Sequence, residues 1–174
     1  MSLRTKAITM AVAVAIGGGI TLGASPALAS PSGGVVQGAG EDFRDDWNDE
    51  YVDASHHAHS NVAAMWQAIL WADKKLSYSG IDCRFGPDTV TATKKWQSTF
   101  HVPGSADGKV GRNTFDRAAD FLSGSAGSSH QIKYTGTDGR YVTFKRTDNG
   151  RWGMYLGNDL KTLWYNNATF NACS

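Results

Sequence analysis

Apolar residues in the middle of the chain recur at helical spacing in three successive segments. The first has them at i, i+3, i+4, i+7 and i+8, at Val62, Met65, Trp66, Ile69 and Leu70. The second has an apolar face made of Ala92, Trp96 and Phe100, and the third one made of Phe115, Ala118, Ala119 and Leu122. The pattern predicts three helices, with Ser60 or Asn61 capping the first, Gly86-Pro87-Asp88 opening the second and Gly124 ending the third.

From residue 131 onward the hydrophobic period changes to two. Val142 and Phe144 alternate with more polar neighbours, and Asp138-Gly139 and Asn149-Gly150 mark tight turns between such runs. Four antiparallel strands are predicted, near 131–135, 140–146, 151–156 and 160–165. The expected fold class is therefore α+β, a three-helix bundle followed by a small antiparallel β-meander that packs on the helices.

The N-terminus has the pattern of a secretory signal peptide. Arg4 and Lys6 precede an uncharged run, residues 7–24, and Ala27-Leu28-Ala29 fits the cleavage rule. A membrane anchor is the alternative, because the run is about long enough to span a bilayer. The expected organisation is a signal peptide at 1–29, a flexible acidic arm at 30–58, a helical domain at 59–124, a linker at 125–130 and a β region at 131–174. We expect a secreted, extracellular monomer, free or associated with the cell wall, without a transmembrane segment after cleavage.

Charge is concentrated in the acidic arm. Seven acids and one base lie between residues 41 and 53, whereas the whole chain has a formal net charge of +1. This balance gives no support for nucleic-acid binding. Phe43, Trp47 and Tyr51 recur at every fourth position, so the arm is either an amphipathic helix that docks on the body or a solvated, partly disordered segment.

The chain has two cysteines, Cys83 and Cys173, and export places them in an oxidising compartment. One intramolecular pairing is possible, and we predict that bridge. The nearby histidines, His56, His57 and His59, have no partner at metal-ligand spacing. We therefore expect them in a solvated junction and expect neither a metal nor a cofactor.

A short motif occurs twice in the helical region. Trp66-Gln67 precedes the run from Ile81 to Thr89, IDCRFGPDT, and Trp96-Gln97 precedes the run from Asp107 to Thr114, DGKVGRNT. With these two copies, residues 61–120 resemble the peptidoglycan-binding-like domain of bacterial cell-wall proteins, a three-helix bundle. One departure is that Cys83 stands where the first loop of that family has glycine, so a different loop conformation is expected there.

The resemblance implies a secreted, non-catalytic protein that binds peptidoglycan or another cell-wall glycan. The candidate ligand-binding residues are Arg84, Lys109, Arg112, Gln67, Gln97, Tyr155 and Trp164. The cations among them suit stem-peptide carboxylates or anionic wall polymers. The two glutamines either bind ligand or bridge the backbones of their loops, and turn and cap chemistry favours the second role.

Two other function classes stay open. The first is a small cell-wall hydrolase with an unrecognised active site, although a glycosidase needs two carboxylates flanking a cleft and a metallohydrolase needs a motif such as HExxH. The second is a secreted protein-interaction module on the same scaffold. The tyrosines and tryptophans of the β region are either a sugar-binding face or the core of a small sheet, and alternation directs half of them inward.

Overall fold

The computed structural model describes residues 34–47, 50–104, 106–125, 127 and 130–173. Within them, α1 (Asn61–Ala72), α2 (Pro87–Thr99) and α3 (Arg112–Ala119) precede five strands, and a 3-10 turn, Tyr78–Gly80, follows α1. The strands are β1 (Leu122–Ser125), β2 (Gln131–Thr135), β3 (Tyr141–Arg146), β4 (Trp152–Leu156) and β5 (Asp159–Thr162). They form one antiparallel sheet in chain order. The predicted α+β order is confirmed, whereas the predicted signal peptide lies outside the described residues.

Helix α1 is the centre of the molecule, since it is buried along nearly its whole length. Ser60 caps it as predicted, because its hydroxyl accepts a hydrogen bond from the Ala63 amide at 3.0 Å. The Trp66 ring packs against Trp96 of α2, with centroids 5.1 Å apart, and against Phe115 of α3 at 6.0 Å. The predicted apolar faces thus meet in one core.

The third helix is shorter than predicted, and the sheet has a strand more. Helix α3 ends at Ala119, so Leu122 belongs to β1, which pairs with β2. Gly124 lies inside β1 with φ +125°, where a β-carbon would stand 2.6 Å from the Gln131 carbonyl oxygen. The prediction of four strands is wrong because the Ser-Gly-Ser sequence is typical of a linker, and its pairing with β2 overrides that local preference.

The carboxylate of Asp73, at the C-terminus of α1, joins the helices to the sheet. It accepts a hydrogen bond from the Trp96 indole at 2.7 Å, one from the Tyr134 hydroxyl, and one from the Thr137 amide at 2.9 Å. Burial and the adjacent Asp73 charge both raise the pKa of Tyr134. A satisfied buried network of this kind fixes one orientation of the sheet on the bundle.

Residues 34–47 and 50–53, here called the strap, run across the body. Val36 donates a backbone hydrogen bond to Leu163 and accepts one from Trp152, both at 2.9 Å. Phe43 and Trp47 are buried, whereas Tyr51 is 59% exposed. The strap contains no helix within its described residues, so the three aromatic residues do not share a face. The backbone contacts also do not fit a flexible arm.

Asp46 of the strap is a buried carboxylate. It accepts a hydrogen bond from the Trp152 indole at 2.7 Å and lies 3.7 Å from the Arg146 guanidinium. Burial nevertheless raises the pKa of Asp46 to about 6, against the opposing effects of Trp152 and Arg146. Burial also acts to raise the pKa of Asp53, but hydrogen bonds from Ser55 and His56 outweigh it and lower that pKa to about 2.

These two shifts predict opposite pH dependences. The native state holds the Asp46 proton more tightly than the unfolded chain, so its contribution to stability is full below about pH 4 and falls by about 3 kcal/mol as the pH passes 6. The Asp53 contribution is present above pH 4 and is lost toward pH 2. Urea unfolding measures the difference in free energy of unfolding between wild type and Asp46→Asn. We expect this difference to change by about 3 kcal/mol between pH 4 and pH 7. The exposed neighbour gives a control, Asp45→Asn, which removes only one of the smaller causes of the raised Asp46 pKa, so its stability difference should change much less; equal curves for both variants would contradict the assignment.

Candidate functional site

The first repeated loop is held by the side chain of Gln67. Its amide nitrogen donates to Asp82 at 2.7 Å, to the Arg84 carbonyl at 2.9 Å and to the Thr89 hydroxyl at 3.0 Å. Its oxygen accepts from the backbone amides of Asp82 and Cys83 at 3.1 and 2.9 Å. One buried side chain therefore replaces the hydrogen bonds that the loop backbone would otherwise make with water.

The second loop repeats this geometry around Gln97. The amide nitrogen donates to Asp107 at 3.2 Å, to the Lys109 carbonyl at 2.8 Å and to the Thr114 hydroxyl at 3.1 Å, and the oxygen accepts from the Gly108 amide at 2.9 Å. Both glutamines are at most 3% exposed. Their polar atoms are occupied by the loops, so the bridging role applies, and we leave them out of the candidate site.

Cys83 adopts the backbone conformation of the glycine at the equivalent position of the second loop. Its φ is +66°, and that of Gly108 is +79°. The expectation of a different loop conformation is therefore wrong, because the five contacts of Gln67 impose the left-handed geometry despite the side chain. The predicted disulfide is confirmed, since Cys83 and Cys173 are bonded with their α-carbons 5.1 Å apart.

Two of the predicted cations share a cavity of about 300 Å³ beside the second loop. Lys109 and Arg112 line it together with Tyr51 of the strap, whose ring lies against the backbone of Gly111. Arg84 is not among the lining residues; it pairs through its backbone with His59 instead. The cavity thus unites part of the predicted cationic set and adds an aromatic residue to it.

A second cavity, about 540 Å³, lies where α1 meets the ends of β3 and β4. We call it the aromatic cleft. Its aromatic side chains come from four places in the chain, namely Trp71, Tyr78, Tyr141 and Tyr155. Other lining residues include Ala68 and Val142, which are buried, and Arg140. Tyr78 and Tyr141 are 51% and 57% exposed, so both present ring surface to solvent.

Cations and ring contacts fix the orientation of these aromatic side chains. Arg140 donates to the Trp71 carbonyl at 3.0 Å, and its guanidinium carbon lies 5.4 Å from the centre of the Trp71 ring. The Lys133 ammonium lies 4.8 Å from the centre of the Tyr141 ring, and Tyr78 packs edge-on against Trp71 with centroids 5.4 Å apart. Rings held in this way lose little side-chain freedom when a flat ligand binds.

The cleft contains one of the two aromatic residues that the sequence singled out. Tyr155 lines it, whereas Trp164 lies elsewhere, with its ring facing Arg151 at 5.6 Å and its backbone paired with Val35. Sequence reasoning missed Trp71 and Tyr78, whereas Tyr141 is one of the β-region tyrosines for which a sugar-binding face was an open alternative. A signal existed for Trp71, because it follows Trp66 by five residues and so points about 140° away from Trp66 around the axis of α1.

Two of the three histidines make side-chain contacts, and His59 pairs through its backbone with Arg84. His56 lies 3.0 Å from Asp53, and His57 lies 3.0 Å from the Tyr165 carbonyl and 3.8 Å from Glu50. In the described part of the chain, no group of three or more His, Cys, Asp or Glu residues has the geometry of a metal site. None of the helices there is long and apolar enough to span a bilayer.

Comparison of the chain with protein-family models, with curated proteins and with solved structures finds no match. A function for this protein is therefore inferred from the geometry of the molecule and from the sequence resemblance.

Proposed function

We propose that this protein is a secreted, non-catalytic binder of cell-wall glycan and that the aromatic cleft is its glycan site. The observation that carries the proposal is the exposure of aromatic rings in a preformed cleft. Tyr78 and Tyr141 are each more than half exposed, although large apolar surfaces are normally covered in a folded protein. Sugar rings have an apolar face that stacks on such rings and hydroxyl groups that bond to polar neighbours.

The helical domain supports the same proposal. Its two glutamine-centred loops have equivalent hydrogen bonds, as expected for the repeated motif on which the resemblance to peptidoglycan-binding-like domains rests. The Cys83–Cys173 disulfide is compatible with an oxidising, extracellular compartment. A wall glycan is a ligand that fits both the compartment and the cleft.

The cationic loops have a secondary role in the proposal. Lys109 and Arg112 are exposed, and exposed ion pairs contribute about 0–1 kcal/mol each. They would attract stem-peptide carboxylates at low ionic strength, whereas stacking in the cleft persists when salt screens the charges.

This division of roles predicts a salt-dependent and a salt-independent part of wall binding. In sedimentation with purified walls, we expect the mature protein to pellet at every salt concentration, with less pelleted as salt rises. The triple variant Arg84→Ala, Lys109→Ala, Arg112→Ala should lose the part that is sensitive to salt and keep the rest. If the triple variant pellets like wild type at low salt, the cations take no part in binding; if wild type does not pellet at all, the proposed function is wrong.

The same samples test the hydrolase alternative. A glycosidase needs two carboxylates across its cleft, and the described residues that line the aromatic cleft include no carboxylate. We therefore expect the wall suspension to keep its turbidity during incubation with the protein. Loss of turbidity that is proportional to time and protein concentration would favour the enzyme.

A further inference from the structure

A third cavity, about 510 Å³, adjoins the aromatic cleft. The two share Tyr78 and Leu156, and the Tyr78 hydroxyl lies near the turn between β4 and β5, where a β-carbon on Gly157 would be 3.9 Å away. Tyr78 is therefore the partition between the two cavities. A linear ligand that passes over this side chain would contact both.

The lining of the third cavity is polar and has little uncompensated charge. Asn158, Asp159 and Asn171 contribute to it. The Asp159 carboxylate lies 3.0 Å from the Lys161 ammonium and accepts a hydrogen bond from the backbone amide of Asn171 at 3.2 Å. The side-chain amides of Asn158 and Asn171 make no hydrogen bond to another described residue. Side-chain amides that can donate and accept hydrogen bonds, without a net charge beside them, suit a neutral ligand rich in hydroxyl and acetamido groups.

The rim of the third cavity is held in place although it is close to the C-terminus. Asn171 and Ala172 lie between Phe170, which is buried, and Cys173, which is bonded to Cys83. The Cys173 amide also donates to the Phe170 carbonyl at 2.9 Å. These residues lie outside any helix or strand, so this double anchoring preforms a wall that would otherwise need to be ordered on binding.

We propose that the third cavity is an additional subsite of the glycan site, which takes the sugar residues that follow those in the aromatic cleft. This inference rests on the proposed function and adds to it that affinity depends on chain length. The aromatic cleft stacks one part of the strand, and the amides beyond Tyr78 hydrogen-bond the next part. A ligand too short to pass Tyr78 gains nothing from the second part.

The test is calorimetric titration with β-1,4-linked N-acetylglucosamine oligomers, using the disaccharide, the tetrasaccharide and the hexasaccharide. We expect the wild-type Kd to fall roughly tenfold from disaccharide to tetrasaccharide, as a few added hydrogen bonds allow. The double variant Asn158→Ala, Asn171→Ala should bind the disaccharide with the wild-type Kd. It should lose the gain in affinity that wild type shows for the tetrasaccharide. Asn167→Ala, an exposed asparagine that lines neither cavity, is the matched control and should keep the gain.

The outcomes separate the subsite from the proposed function. Equal wild-type affinity for all three oligomers, or a length-dependent gain that survives in the double variant, would overturn the subsite and leave glycan binding in the cleft intact. No binding of any oligomer would overturn both. Thermal unfolding verifies that each variant is folded, and the single variant Asn171→Ala replaces the double variant if the latter does not fold.

Discussion

Removal of the Cys83–Cys173 disulfide is expected to lower the free energy of unfolding by about 4–5 kcal/mol. The bond links residues 90 apart in the sequence, and the entropy that a cross-link removes from the unfolded chain grows with the size of the closed loop. The loss is expected to loosen the tail and the strands more than the helices, since the bond ties the end of the chain to the first glutamine loop. Urea unfolding with hydrogen exchange measures both effects.

The left-handed backbone at Cys83 allows a matched pair of variants. Two double variants lack the disulfide and differ only at position 83. One is Cys83→Ser with Cys173→Ser, and the other is Cys83→Gly with Cys173→Ser. Glycine suits a φ of +66° and serine does not, so the glycine variant should be more stable by about 1 kcal/mol. A reducing agent should destabilise wild type and leave both variants unchanged. Equal stability of wild type and the variants in non-reducing buffer would contradict the structural role of the bond.

The double variant Tyr78→Ala, Tyr141→Ala is expected to weaken glycan binding roughly tenfold to a hundredfold. Aromatic contacts of this kind contribute about 0.5–1.5 kcal/mol each beyond the area they bury, and the variant removes two of them. Both side chains are more than half exposed, so the free energy of unfolding should change little. Titration with a soluble wall glycan, together with thermal unfolding, separates the two quantities.

Tyr51 provides the matched control for this double variant. It is 59% exposed and lies beside the second glutamine loop, outside the aromatic cleft. Tyr51→Ala should leave glycan affinity unchanged. If Tyr51→Ala weakens binding and the double variant does not, the glycan site is the cavity of Lys109 and Arg112 rather than the cleft.

The helices and the last four strands were predictable because they depend on local signals. The spacing of apolar residues in α1 and the turn residues between strands specify structure within a few positions of sequence. Strand β1 was not predictable, since Ser123 and Gly124 have no strand preference and are held by their pairing with β2. The conformation of the strap was not predictable for a related reason, because Phe43 and Trp47 are buried by segments remote in the sequence.

The candidate site was the least predictable part. Trp71 and Tyr141 belong to different domains of the predicted organisation, and the Asp73 network that joins helix to sheet brings them to one cleft. The repeated motif also led to two candidate ligand-binding residues that the candidate site does not include. Gln67 and Gln97 were conspicuous because their loops require them, and a residue that a loop uses completely has no atom left for a ligand.

Residue-resolved NMR of the protein, titrated with a soluble peptidoglycan fragment, shows directly whether the aromatic cleft is the glycan site. We predict that the largest amide shift changes fall on the segments that line the aromatic cleft, residues 68–78, 139–143 and 155–157. The strap and the second glutamine loop should change little at high salt. Shift changes confined to residues 107–114, or none at saturating fragment, would contradict the assignment of the cleft as the glycan site.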